Sequence, residues 1–459
     1  MIYDLVIQNG RLMDPDRNLD TWGNVAVSDG KIKRITRESI QGRTTIDARG
    51  NVVCPGFIDI HAHVDGNLYP AQCMVRQGVT TTVGGNCGLS PLAIGAFLDS
   101  VEVNELPLNS ATFIGHSFSM REAAGATDRY QPATREQIEA MKGMLHKALE
   151  EGAVGLSLGL EYSPGASQEE VLELARVCAL YGKPVAIHTR YDSWRGVEGF
   201  AEAVRICEET GVPVQVSHVA YMVGMGQMTA ALSILDDAHN RHLDLTADSG
   251  VYSAFATFVG SAVFDDWPGK YGCRHEDMVV ATGPHSGQRF TGEMFDRLRR
   301  QTPDIAVIAF VGKESEIGEA LVRPYMMVST DGAVGNPSPG TGHPQDAGTY
   351  PRLLGNYVRE TGLLSLLDAL RKITIMPADR LGLKHKGRLA VGCDADIVVF
   401  DPKSVRDLAE YPVSGKPDAP PEGISHVVVN GKPVVMDGHP LEGRAPGRGI
   451  RVTSEVWEG

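Results

Sequence analysis

Two histidines, His61 and His63, close the apolar run Val52-Val53-Cys54-Pro55-Gly56-Phe57-Ile58-Asp59-Ile60-His61-Ala62-His63. An extended strand puts residues i and i+2 on one side, so these two imidazoles point the same way. Together they can bind one metal ion, although a single histidine in such a place is as readily a hydrogen-bonded core residue. Further donors end similar runs: Cys87 in Gly84-Gly85-Asn86-Cys87-Gly88, His188 after Val185-Ala186-Ile187, His218 after Val214-Gln215-Val216-Ser217, and Asp331 in Val328-Ser329-Thr330-Asp331-Gly332. Each alone has an ordinary reading, Cys87 as a small buried side chain and the others as satisfied polar groups. Six in matching places are harder to assign to packing. A thiolate with imidazoles and a carboxylate suits zinc, as one or two ions, with iron, cobalt or manganese as other divalent choices. A central thiolate could bridge a pair.

That donor set implies hydrolysis. A bound metal lowers the pKa of its water to about 7 and polarises a carbonyl. Asp331 can accept the water proton and pass it to a leaving nitrogen, which makes it the candidate catalytic residue. No Ser-His-Asp order or nucleophile elbow is present, which favours direct attack by water over a covalent intermediate.

The elements that must carry these donors alternate. After the opening run, strand patterns recur at 79–83, 111–114, 154–158, 185–188, 214–218, 243–247 and 325–329, giving eight. Between them, Thr134-Arg135-Glu136-Gln137 and Ser167-Gln168-Glu169-Glu170 are capping boxes, and Gly152, Gly182 and Gly211 stand where helices should stop. Eight strands alternating with helices predict an α/β protein with a closed (β/α)8 TIM-like barrel, whose chemistry sits at the C-terminal strand ends. An open doubly wound sheet lacks support, because no Gly-rich phosphate loop follows the first strand. Residues 250–324 exceed a simple crossover and form an expected insertion over the barrel mouth. Both chain ends are rich in short strands and Asn-Gly or Asp-Gly turns. They are expected to pair into a small discontinuous β-sandwich from residues 1–54 and 383–459, with the barrel at 55–382.

With 459 residues and a net charge of -14, the chain lacks the basic footprint of a nucleic-acid or anionic-membrane binder. A small-molecule amide is the expected partner. Seven scattered cysteines form no disulfide framework, and no signal peptide or membrane span is seen, so a cytoplasmic location is expected. Exposed edges in the terminal strands make a homo-oligomer plausible.

The motifs resemble those of the metal-dependent amidohydrolase superfamily, and within it the D-aminoacylase (N-acyl-D-amino-acid deacylase) group. The likeness rests on Pro55-Gly56-Phe57-Ile58-Asp59-Ile60-His61-Ala62-His63, Gly85-Asn86-Cys87-Gly88, Gly115-His116-Ser117, Gly155-Leu156-Ser157, His188-Thr189-Arg190, Ser217-His218, Ser329-Thr330-Asp331-Gly332 and Gly392-Cys393-Asp394-Ala395-Asp396. It implies that His61, His63, Cys87, His188, His218 and Asp331 form the metal site, with Cys87 in the place a carboxylated lysine fills in hydantoinases. It also implies a mononuclear zinc enzyme that deacylates an N-acyl-D-amino acid or related N-acyl amine. Three positions depart from the group. Where it has a lysine, a tyrosine and an arginine for the substrate carboxylate, this chain has Ala220, Gly250 and Gln345. Tyr162, Arg190, Tyr252, His116 and His343 are the candidates for substrate contact. Cyclic-amide hydrolysis of the hydantoinase or dihydroorotase kind is the alternative function, and a catalytically silent scaffold of the same fold is the third.

Overall fold

The computed structural model of the protein describes residues 2–452. Its barrel strands are Phe57–Asp59, Val79–Gly84, Asn109–Thr112 continued by Ile114–Gly115, Leu156–Gly159, Val185–His188, Val214–Val216, Leu245–Ser249 and Met326–Val328. All neighbouring pairs are parallel. The third strand changes ladder at Phe113, its first half pairing with the second strand and its second half with the fourth. Closure falls between the eighth strand and the first. There the backbone N–H of Asp331 donates to the carbonyl of His61 at 2.8 Å, and that of His63 donates to Gly332 at 2.7 Å. The seam of the barrel is therefore made by segments that carry three of the candidate donors.

The opening run, read as one strand, is divided in the structure. Val52–Pro55 belongs to the sheet of terminal strands and Phe57–Asp59 to the barrel. Gly56 makes the crossing because it packs on Thr80, whose Oγ1 would lie 2.2 Å from any added Cβ. Other expected strand limits move by a residue or two at their ends. The capping boxes are formed at Thr134 and Ser167, ahead of helices Arg135–Glu150 and Gln168–Leu180. Gly211 closes Gly196–Thr210 in a left-handed conformation that only glycine adopts without strain.

The chain ends meet in one hydrogen-bonded network of nine strands. Val52–Pro55 sits between Ile2–Asp14 and Ile397–Phe400, so the N-terminal strands and the C-terminal ones share a ladder. Leu5, Ile7, Val25 and Val27 join Ile397, Val399 and Val428 in one apolar cluster. Residues 453–459, the last part of the expected small unit, lie outside the described residues.

Within 250–324, Phe255–Phe258, Ala306–Ala309 and Met278–Val280 form a three-stranded antiparallel sheet, with helix Gly292–Gln301 beside it. This sheet supplies one wall of the cavity at the barrel mouth.

Candidate metal centre and cavity

Every expected donor stands at or just past the C-terminal end of a barrel strand. His188 is the last residue of the fifth strand, and His218 lies two residues beyond the sixth. Cys87 occupies the short turn Asn86–Gly88 after the second strand. Three of the six hold left-handed backbone angles, with φ of 52° at Cys87, 26° at His218 and 53° at Asp331. Such conformations cost about 1–3 kcal/mol each for non-glycine residues and persist where the surroundings over-determine them. At Cys87 the constraint is visible: its carbonyl packs on Gly159, where an added Cβ would stand 2.1 Å from the oxygen.

The six side chains converge. Cys87 Sγ lies 3.4 Å from His61 Nε2, 3.3 Å from His218 Nε2 and 3.9 Å from His188 Nδ1. Asp331 Oδ1 is 3.3 Å from both His61 Nε2 and His63 Nε2, so the two histidines do share a side. Three overlapping triads (His61, His63 and Cys87; Cys87, His188 and His218; His61, His218 and Asp331) each keep their donor atoms within 4.8 Å of one another. All six residues are buried except His63, which is partly exposed to the cavity.

Electrostatics favour a cation here. Burial and the neighbouring imidazoles hold His61 well below the usual histidine range, and burial with the adjoining histidines does the same to His218 despite Asp331. Both are therefore neutral, as metal ligation requires. Burial, followed by the charges of Asp331, Asp248 and Asp192, pushes the Cys87 thiol well up. Sulfur, nitrogen and carboxylate oxygen are thus packed together, and although burial opposes it, Asp331, Asp65 and Asp59 raise His63, so the carboxylates here favour positive charge. A soft divalent ion fits that donor set.

Around the donors stands a layer of carboxylates that the sequence reading did not single out. Asp192 accepts from His188 Nε2 at 3.1 Å, which leaves Nδ1 facing Cys87. Asp192 also accepts from the Tyr271 hydroxyl at 3.2 Å, tying the insertion to this histidine. Asp248 accepts from the His218 backbone at 2.9 Å and from Gln215 at 2.7 Å. Burial raises it to about 6 against those bonds. Asp59 accepts from the backbone and hydroxyl of Thr330, and burial raises it to about 7. The spacing held a signal for two of them: Asp192 follows His188 by four residues, and Asp59 precedes His61 by two on the same face.

Beside the cluster opens a cavity of about 480 Å³. His63, Cys87 and Asp331 reach it from the cluster, with Leu89, Pro91 and Phe118 on one side and Ala256, Thr257 and Phe258 of the insertion on the other. Of the five expected substrate contacts, Tyr162 lines this space; its ring lies 4.9 Å from that of His188 and its hydroxyl bonds Thr257 at 2.9 Å.

The other four are engaged elsewhere. Arg190 is bound by Glu202 at 2.8 Å and donates to the carbonyls of Pro164 and Ala166. His116 spends both nitrogens, on Glu170 at 2.8 Å and Ser117 at 3.2 Å. His343 Nε2 donates to the Ala254 carbonyl at 3.1 Å, and Nδ1 accepts from Gln345 N at 3.0 Å. The Tyr252 hydroxyl donates to Asp407 at 3.3 Å. These residues shape the loops behind the cavity rather than its surface.

Comparison with known proteins places this geometry. Residues 52–434 match the model of the amidohydrolase family. An N-acyl-D-glutamate deacylase of Alcaligenes xylosoxydans xylosoxydans is 32% identical over 99% of this chain and 97% of its own. A D-aminoacylase of the same organism is 31% identical over 94% of each. The crystal structure of the N-acyl-D-glutamate deacylase from Bordetella bronchiseptica, complexed with zinc and a phosphonate mimic of the tetrahedral intermediate, superposes with a TM-score of 0.88 at 29% identity, covering 98% of this chain and 100% of that one.

Proposed function

The chain belongs to the amidohydrolase family, and from that premise we propose that it deacylates an N-acyl-D-amino acid or a related N-acyl amine by metal-dependent hydrolysis of a non-peptide C–N bond. The observation that carries this reading is the convergence of six sulfur, nitrogen and oxygen donors from five strand ends beside one cavity. His61, His63, Cys87, His188, His218 and Asp331 would hold the metal, with zinc in the tighter position and a second ion optional. Zinc in a deacylase of similar sequence and fold supports that choice. When bound, the metal acidifies a water and polarises the scissile carbonyl.

The chain supplies the rest. Asp331 reaches the cavity and lies against His61 and His63, where its carboxylate takes the water proton and later delivers it to the leaving nitrogen. Asp192 fixes the tautomer and orientation of His188. Tyr162 and Phe118 give the acyl group an apolar wall, and the insertion sheet excludes bulk water. Cyclic-amide hydrolysis is less favoured because relatives of that kind, such as the dihydroorotase of Streptococcus pneumoniae at 27% identity, are more distant.

The cell context follows from composition. None of the described helices is long and apolar enough to cross a membrane. All seven cysteines are free, which suits a reducing cytoplasm. The test of function is amine release by metal-analysed, zinc-loaded protein across N-acetyl-D- and N-acetyl-L-amino acids, their amides, hydantoins and dihydropyrimidines. Release from linear D-acyl compounds is expected. Turnover confined to the cyclic compounds would replace this reading.

A further inference from the structure

We infer that the substrate carries no free carboxylate beside its scissile amide, so that the preferred compounds are uncharged N-acyl amines with an apolar flank. This rests on the deacylase reading above and names its substrate class. Among the described residues, those lining the cavity include no lysine or arginine. Its charged members besides His63 are Asp65, Asp304 and Asp331, and most of its wall is apolar, from Leu89, Pro91, Phe118, Ala256, Phe258 and Val334. A carboxylate entering this space away from the metal ligands would lose hydration without gaining a lysine or arginine partner and would face Asp65 and Asp304.

Behind Asp331, Tyr221, Gly250 and Gln345 supply no cation either, and they are built as one unit. Gly250 has no side chain, and an added Cβ would stand 2.1 Å from the Tyr221 hydroxyl. That hydroxyl occupies the vacated space and donates to Gln345 Oε1 at 3.0 Å. Gln345 Nε2 in turn donates to the backbone carbonyl of Asp331 at 2.5 Å. Gln345 and Tyr221 are buried, and their hydrogen-bonding groups are committed to each other and to the catalytic loop. Cations on the surrounding loops and helices are engaged elsewhere: Arg190 by Glu202 and two carbonyls, Lys270 by Glu161, and Arg299 by Asp265 and the carbonyl of Phe264.

The test compares acetate release by zinc-loaded protein from N-acetyl-D-phenylalanine and N-acetyl-D-phenylalaninamide, with the L-isomers alongside. The expected kcat/KM is at least about tenfold higher for the amide, the price of one unpaired charge at the wall. An acid turned over as well as its amide overturns the inference and leaves deacylation standing. Silence on all four compounds with zinc bound removes the deacylase reading and the inference with it. A second arm uses Val334→Lys, which puts an ammonium at a partly exposed point of the wall. It should shift the acid-to-amide ratio about tenfold toward the acid. An unchanged ratio in a folded, zinc-bound variant contradicts the inference.

Discussion

Two buried histidine–carboxylate pairs stand at the C-terminal ends of barrel strands, His188 with Asp192 and His116 with Glu170. They are alike in their first bond, though one pair is four residues apart in sequence and the other 54, and they differ in the second nitrogen. His188 keeps Nδ1 turned toward Cys87, among the converging sulfur, nitrogen and oxygen donors. His116 gives its second nitrogen to Ser117, and its Glu170 is also bound by the buried Arg121. A strand-end histidine is thus a candidate ligand only where its spare nitrogen faces other donors. The first pair presents a ligand, and the second pins a loop to the helix that starts at Gln168.

That difference can be broken from the metal side first. Cys87→Ala and His188→Ala should abolish stoichiometric zinc, read by metal analysis of the folded protein, and bring amide hydrolysis to background. Zinc retained in full by both variants would detach the cluster from metal binding. Asp331→Asn should keep zinc while lowering kcat by about 10²-fold or more, the size of a general acid–base contribution. Near-normal turnover would remove it from proton transfer. Asp192→Asn should weaken zinc affinity about 10- to 100-fold, as loss of a histidine's hydrogen-bonding carboxylate does elsewhere, measurable by competition with a chelator.

The second pair predicts a different readout. Glu170→Gln should cost about 3 kcal/mol of stability in denaturant unfolding by leaving Arg121 without its counter-charge, with zinc content per folded molecule unchanged. Burial would raise Glu170, but His116 and Arg121 together hold it down at about 2 from its usual 4.5. Its stabilisation is therefore complete above the unfolded value and fades as pH falls from about 4.5 toward about 2. The variant should flatten the acid limb of the stability curve; an unchanged limb would deny the pair its structural part.

Donor types and barrel periodicity were legible in the sequence because both depend on local spacing. His61 and His63 could be placed on one side from the pleat alone, and Thr134 and Ser167 announced their helices through capping boxes. What escaped was set by tertiary contact. The division of the opening run at Gly56 depends on Thr80, a residue 24 positions away. Arg190 and His343 were reasonable substrate contacts by position, but the partners that occupy them, Glu202 and Ala254, come from a helix and a loop whose approach no local pattern encodes. The neutral unit of Tyr221, Gly250 and Gln345 shows the same limit: the departures at Gly250 and Gln345 could be noticed singly, while the Tyr221 hydroxyl that packs on one and donates to the other required the fold.

The most direct test of the central claim is a titration of metal-free protein with zinc, following bound metal and acetate release from N-acetyl-D-phenylalaninamide in the same sample. The expected result is activity that rises with the first equivalent of bound zinc and is lost on chelation. Full zinc occupancy without release from this compound, or from any other linear N-acyl amine, would contradict it.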